Sequence, residues 1–116
     1  MVEKIEVRFP SGSDELAGWW FSSGRAGAAC IVVGHGFSLT MRDGLAQYAG
    51  AFAEAGHDVL VFDHRYLGES GGEPRQRFSV ADQQEDWRSA IALAQERSGA
   101  ERVHLWAYSF GGGHVA

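Results

Sequence analysis

Cysteine and proline are both scarce in this chain of 116 residues, which has one cysteine and two prolines. The single cysteine, Cys30, excludes a disulfide framework within the chain and fits a reducing compartment. Two prolines beside 16 glycines exclude a collagen or a Pro/Gly linker. The glycines therefore indicate backbone positions that need unusual angles or a close approach.

Positive charge and long apolar runs are lacking as well. The 10 Lys and Arg residues are outnumbered by 15 Asp and Glu residues, and the net charge of −5 argues against a nucleic-acid partner. No segment approaches the roughly 20 apolar residues of a membrane span, and the first residues contain no apolar signal core. We therefore expect a soluble, cytoplasmic protein with no membrane partner.

Strand and helix patterns alternate along the chain. Period-two alternation predicts a hairpin at the start, continuous apolar runs predict strands buried on both faces, and helical spacing predicts the rest. The predicted strands cover residues 4–9, 15–21, 28–33, 57–62 and 102–107, and the predicted helices cover residues 42–55 and 79–97. This order predicts an α/β fold with a mostly parallel sheet, an N-terminal β-hairpin and flanking helices.

The length of the chain allows one domain at most. Apolar residues make up 45% of the chain, too many for a disordered segment. Seven residues follow Ser109, and the last predicted strand would lie at an open edge, where unpaired backbone groups invite aggregation. We therefore expect residues 1–116 to be the N-terminal part of a single larger domain, ending just after Ser109. A genuine small α/β domain is the alternative.

The segment Ala107-Tyr108-Ser109-Phe110-Gly111 lies where a predicted buried strand passes into a helix. In a nucleophile elbow this turn is sharp, so the serine backbone is strained and its Oγ projects above the sheet. Small residues two before and two after the serine let helix and strand approach, and Ala107 and Gly111 meet that need. The helix N-terminus directs N–H groups at a developing anion. A simple helix cap is the alternative for Ser109.

The turn His35-Gly36-Phe37 follows the first predicted buried strand, at the sheet edge where ligands bind in parallel sheets. The backbone N–H of Phe37, paired with that of Phe110, would form an oxyanion hole there. Because the backbone does this work, we interpret the His35 side chain as one that orders the loop.

A polar, glycine-rich loop begins with Asp63 at the end of the next strand, on the same edge. We expect Asp63 and Arg65 to pair and brace this loop. A solvated turn is the alternative, and neither interpretation makes these residues catalysts.

These features, taken in order, resemble the α/β-hydrolase superfamily. They are the hairpin, the His35-Gly36-Phe37 turn, the Asp63-x-Arg65-x-x-Gly68-x-Ser70-Gly71 loop and the Ser109 elbow. The segment 68–75, Glu85-Asp86-Trp87 and the glycines and histidine after Ser109 are similar to the dienelactone-hydrolase, acetyl-esterase and X-prolyl-dipeptidyl-peptidase-like branches.

The resemblance implies a fold, a reaction and a set of site residues. The fold would be the N-terminal part of an α/β-hydrolase domain. Ser109 would attack a carboxylic ester, thioester or amide of a small molecule and form an acyl-enzyme. Phe37 and Phe110 would supply the oxyanion hole, with His35, Gly36, Asp63, Arg65 and Gly111 in supporting loops. No metal and no organic cofactor is needed for this chemistry.

The chain departs from the family's pattern in three places. Ala107 and Tyr66 stand where glycine is usual; alanine is still small, whereas Tyr66 is expected to reshape the pocket rim. After Ser109 there is no carboxylate and one histidine, His114, which lies about 140° around the helix axis and faces away from the serine. The family's acid and histidine follow the serine, so we expect both beyond residue 116 and residues 1–116 alone to be inactive.

Two other functions stay open at this stage. One is a nucleotide-binding α/β module in which residues 111–113 cradle phosphate, although their spacing fits neither G-x-G-x-x-G nor a P-loop. The other is a non-catalytic α/β-hydrolase-like binding domain.

Overall fold

Five strands and two helices make up the computed structural model in the part of the chain that it describes, residues 3–24, 28–34, 45–72, 79–99 and 103–107. The order of elements agrees with the predicted one. The elements are β1 (Glu3–Ser11), β2 (Asp14–Ser22), β3 (Cys30–Gly34), α1 (Leu45–Glu54), β4 (Asp58–Phe62), α2 (Val80–Ser98) and β5 (Val103–Ala107). The predicted helix after Ser109 lies outside the described residues.

The five strands form one mixed sheet in the order β1-β2-β4-β3-β5. The hairpin strands β1 and β2 are antiparallel, and β2 joins β4 antiparallel as well. Strand β3 pairs in parallel with both β4 and β5. The predicted α/β fold with an N-terminal hairpin is therefore confirmed, and its parallel part consists of β4, β3 and β5.

The hairpin is longer than the alternation alone predicted. The register continues through Pro10↔Glu15 and Ser11↔Asp14, so the turn shrinks from the predicted 10–14 to Gly12 and its neighbour. Gly12 has a φ of 59°, which a tight hairpin turn requires and which glycine adopts without strain. Pro10 is tolerated because β1 is an edge strand of this sheet.

Strands β3 and β4 are buried on both faces because successive side chains point to opposite sides of the sheet. On one side Val32, Leu60 and Phe62 pack with residues of α2. On the other side Val33 and Val61 pack with residues of α1. Full burial of such a side chain stabilises the fold by roughly 1.5–3 kcal/mol, so two continuous apolar runs are enough to specify the centre of the sheet.

Strand β5 is less buried than predicted. Leu105 is 37% exposed, because β5 is the outer strand of the described sheet and pairs with β3 alone. Its register is nevertheless continuous from Cys30↔Val103 to Gly34↔Ala107. The strand is thus fixed along its length by β3, even though its faces are only partly covered.

The ends of α2 follow its capping signals. The Ser79 side chain accepts a hydrogen bond from the backbone N–H of Asp82 at 3.2 Å, which is the hydrogen bond that an N-cap serine makes. Gly99 takes the left-handed conformation, with φ at 73°, and donates its N–H to the carbonyl of Gln95. Helix α2 is therefore fixed at both ends. Within the described ranges, no helix has the combination of length and apolar character that crossing a membrane requires.

Candidate active site

The carboxyl ends of three parallel strands meet at one edge of the sheet. Strand β3 ends at Gly34, β4 at Phe62 and β5 at Ala107. Gly34 and Ala107 are direct partners in the parallel register, and the β3–β4 register runs to Val33↔Val61. Each of the three loops that the sequence singled out therefore starts from this one edge.

The residues that the sequence predicts to form the catalytic centre lie outside the described residues. This holds for the nucleophile Ser109, for Phe110 and Gly111 after it, and for His35, Gly36 and Phe37. The structure describes the strand ends from which these two segments leave. It describes the third segment, the loop after β4, as far as residue 72.

Asp63 holds the first turn of the loop after β4. It is fully buried, its N–H donates to the carbonyl of Ala17, and its Oδ2 accepts from the backbone N–H of Glu69 at 2.9 Å. Ser70 adds a second tie, because its hydroxyl donates to the carbonyl of Asp63 at 2.6 Å and accepts from the N–H of Ala17. Asp63 thus closes the loop onto itself and onto β2.

Gly68 leaves room for this arrangement. Its φ is 54°, and a Cβ added there would lie 2.9 Å from Oδ1 of Asp63, with Oδ2 nearer still. Glycine is therefore needed at residue 68 for two reasons: the backbone is in the left-handed region, and the carboxylate of Asp63 leaves no room for a Cβ.

Arg65 braces the same loop toward α2. Its side chain is 7% exposed and forms ion pairs with Asp86, Glu85, Asp82 and Asp14. The expected Asp63–Arg65 pair is not among the ion pairs of the described residues, because the guanidinium extends toward the acidic face of α2 while Asp63 turns to its own loop. Burial by itself lowers the pKa of Arg65, but the hydrogen bond to Glu85 and the charge of Asp86 outweigh it, so that the pKa is raised.

Asp86 is the centre of this cluster, a role that the sequence analysis did not assign to it. Its carboxylate is fully buried and accepts hydrogen bonds from the Ser11 hydroxyl at 2.7 Å and from the N–H of Arg65 at 2.7 Å. Nδ1 of His64 lies 3.4 Å from its Oδ2. Burial alone raises the pKa of Asp86, but the hydrogen bonds from His64, Ser11 and Arg65 lower it overall. The signal that was available is the spacing of Asp82, Glu85 and Asp86, which places three carboxylates on one helix face.

Tyr66 has an unusual backbone conformation. Its φ is 74°, a region that costs a bulky residue energy and that glycine occupies freely. The residue is 7% exposed, and its hydroxyl donates to Oδ2 of Asp82 at 2.8 Å. The Tyr66 ring is therefore turned inward toward α2, and its expected effect on a pocket rim stays a prediction.

The described histidines are not arranged as a catalytic base for this edge. His64 is buried between Asp86 and the rings of Phe62 and Trp87. His104 is exposed within β5, and His57 precedes the first residue of β4, at the opposite end of that strand. His114 lies outside the described residues.

Comparisons with known proteins identify a common fold. A family model described as alpha/beta hydrolase fold matches residues 30–116. The chain is 38% identical over 114 residues to the quorum-quenching protein AidA of Acinetobacter baumannii, an alignment that covers 96% of this chain and 38% of AidA. It is 34% identical over 91 residues to the thiohydrolase aneE of Aspergillus aculeatus, covering 77% of this chain and 29% of that protein.

A solved structure agrees with these sequence matches. The crystal structure of the alpha/beta hydrolase GrgF from Penicillium sp. sh18 matches with a TM-score of 0.90 and 27% sequence identity, over 97% of this chain and 39% of GrgF. The chain therefore spans less than two fifths of the length of these three proteins.

Proposed function

Because the chain belongs to the α/β-hydrolase fold family, we propose that the protein is a serine hydrolase whose nucleophile is Ser109. The observation that carries this proposal is the pairing of Gly34 with Ala107 at the carboxyl edge of the sheet. Phe37 follows Gly34 by three residues, and Phe110 follows Ala107 by three residues. Three residues span at most about 11 Å, so the two assigned donors follow closely on strand ends that lie side by side, which supports a shared oxyanion hole.

The proposed reaction is a two-step acyl transfer. The Ser109 hydroxyl attacks the carbonyl carbon, and the oxygen of that carbonyl takes up negative charge in the tetrahedral intermediate. Backbone N–H groups of Phe37 and Phe110 stabilise this charge, an effect of about 3–4 kcal/mol for each donor. The carbon–oxygen or carbon–sulfur bond to the leaving group then breaks. Water attacks the acyl-enzyme and releases the acid and free Ser109.

The proton transfers need a base and an orienting carboxylate that we assign to positions beyond residue 116. The base takes the proton from Ser109 and gives it to the leaving group, and the carboxylate holds the base in the correct tautomer. The burial of His64 and the positions of His57 and His104 support this assignment. It follows that residues 1–116 alone should be inactive.

The substrate class that we propose is a carboxylic ester or thioester of a small molecule. The thiohydrolase named above supports the inclusion of thioesters. We also propose a cytoplasmic location, based on the chain's single cysteine.

The test is covalent labelling of the full-length protein with a fluorophosphonate, followed by turnover of p-nitrophenyl acetate. Ser109→Ala should abolish both, because the probe and the ester require the same hydroxyl. Ser13→Ala is the matched control, since Ser13 is an exposed turn residue, and it should keep both at the wild-type level. Equal labelling of Ser109→Ala would place the nucleophile elsewhere. Turnover by residues 1–116 alone, lost in Ser109→Ala, would contradict the assignment of base and acid.

A further inference from the structure

The indole ring of Trp87 lies against the last residue of β3. Trp87 is on α2 and is 4% exposed. A Cβ added at Gly34 would lie 2.8 Å from Cη2 and 3.1 Å from Cε2 of this ring, with Cζ2 nearer still. The ring also meets the ring of Phe62 edge-on, with centroids 5.2 Å apart. One side chain of α2 therefore supports the ends of both β3 and β4.

Space, and not backbone conformation, makes glycine necessary at residue 34. The φ of Gly34 is not among the positive values of the described glycines, so an L-residue could adopt its backbone. What excludes a side chain is the Trp87 ring, because two of its carbons lie where real Cβ atoms find no room. The end of β3 is thus located by a direct contact between backbone and ring.

Packing, rather than a hydrogen bond, holds this ring. Nε1 of Trp87 is buried and has no acceptor among the described residues. Its position depends on the surrounding core, which on this side of the sheet includes Phe62 and Ala90. A rigid core side chain is well suited to fix a backbone position, because tightly packed interiors transmit small changes of volume directly.

We propose that Trp87 is a positioning residue for the proposed oxyanion hole: its ring fixes Gly34 at the end of β3, three residues before Phe37, whose backbone N–H is assigned to that hole. This rests on the proposed function, in which that N–H stabilises the tetrahedral intermediate. Ground-state binding of the substrate does not use this N–H to the same extent. Loss of the ring contact therefore acts on the transition state, and it lowers kcat and kcat/KM together with little change in KM.

The first test compares two tryptophans of the same core in the full-length protein. Trp87→Phe removes the ring atoms that touch Gly34. Trp20→Phe is the matched control, because Trp20 is 5% exposed and packs in the same cluster. We expect kcat for p-nitrophenyl acetate to fall about 10- to 100-fold in Trp87→Phe, as for a misplacement of about 1 Å. KM should stay within about twofold, and Trp20→Phe should keep kcat. Equal kcat in both variants, with urea midpoints showing both folded, would overturn the proposal.

The second test exchanges volume between the two partners. Gly34→Ala should lower kcat strongly when Trp87 is present, because the new methyl group displaces the end of β3. In a Trp87→Leu background the same Gly34→Ala change should have little further effect, since the ring atoms are gone. The difference between the two effects is the coupling of the pair. Equal effects of Gly34→Ala in both backgrounds would contradict the proposal, even if Trp87→Phe proved too unstable to assay.

Fluorophosphonate labelling separates this inference from the proposed function. Labelling at Ser109 together with unchanged kcat in Trp87→Phe would reject the positioning role and leave the serine hydrolase standing. Wild-type turnover in Ser109→Ala would reject both.

Discussion

Arg65 is joined to Asp86 through both its backbone and its side chain. The N–H of Arg65 donates to Oδ2 of the carboxylate at 2.7 Å, and its guanidinium Nη2 donates to Oδ1 at 3.1 Å. The Ser11 hydroxyl donates to the same carboxylate and accepts from the guanidinium. One buried group therefore fastens the loop after β4 and the tip of the N-terminal hairpin to α2.

Asp86→Asn should strongly destabilise the protein. The amide keeps the size of the carboxylate but loses its charge, and its NH2 group cannot accept the hydrogen bonds that one of the two carboxylate oxygens accepts from Arg65 and Ser11. Removal of one partner from a buried ion pair costs about 3–5 kcal/mol, so we expect a loss of about 3 kcal/mol in urea unfolding. Asp14→Asn is the control, because Asp14 lies 3.7 Å from the same arginine and its side chain is 27% exposed. It should cost less than about 1 kcal/mol. Similar losses of unfolding free energy in Asp86→Asn and Asp14→Asn would show that the burial of Asp86 does not determine the cost of removing its charge.

The carboxylate of Asp86 also makes the stability of the protein depend on pH in the acidic range. The pKa of Asp86 is lowered in the folded protein from an ordinary value of 3.8, so the unfolded chain binds the proton more readily. Its contribution is complete above the unfolded pKa and is lost as pH falls through the lower, folded pKa. The difference in unfolding free energy between wild type and Asp86→Asn should therefore be constant from pH 7 to 5 and shrink below about pH 4. Urea unfolding at several pH values measures this, and a difference that grows on acidification would refute it.

The elements that the sequence predicted well are those specified by neighbouring residues. The run from Val59 to Phe62 predicts a strand buried on both faces, and all four residues are fully buried. Ser79 and Gly99 likewise predict the ends of α2 because caps act within a few residues.

Asp86 could not be predicted in this way. In the first two turns of α2 it is one acidic residue among three, beside Asp82 and Glu85, and nothing within its own turn distinguishes it. Its burial depends on a guanidinium 21 residues earlier in the chain and on a hairpin hydroxyl 75 residues earlier. The inward ring of Tyr66 has the same origin, since its partner Asp82 lies 16 residues away. Contacts across such distances depend on the packing of the whole fold.

Gly68→Ala should cost more stability than Gly24→Ala. Both glycines have positive φ, 54° and 74°, so alanine meets a backbone penalty of about 1–2 kcal/mol at each position. A Cβ at residue 24 meets no atom of the described residues within 4 Å, whereas a Cβ at residue 68 meets the carboxylate of Asp63. That carboxylate would have to move and release the N–H of Glu69, which adds about 1–3 kcal/mol. The urea concentrations at the unfolding midpoints of Gly68→Ala and Gly24→Ala, each compared with that of the wild type, test this prediction. Equal shifts would mean that the Asp63 turn adapts without loss.

Cys30 should make the protein less stable at alkaline pH. The thiol is fully buried. Burial is the main reason that its pKa is raised from 9.0 to about 11; it outweighs the hydrogen bond with Ser98, which lowers the pKa, and the charge of Asp58 adds a smaller increase. The unfolded chain therefore loses this proton first, and the contribution of the neutral thiol, complete below about pH 9, is lost as pH rises through 11. At pH 10 the loss relative to pH 7 amounts to about 1 kcal/mol. Urea unfolding of the wild type and of Cys30→Ala at pH 7 and pH 10 isolates the contribution of the thiol, because lysines and tyrosines titrate alike in the two proteins. A loss of stability between pH 7 and 10 that is the same in both would show that the thiol ionises as readily in the folded core as in the open chain.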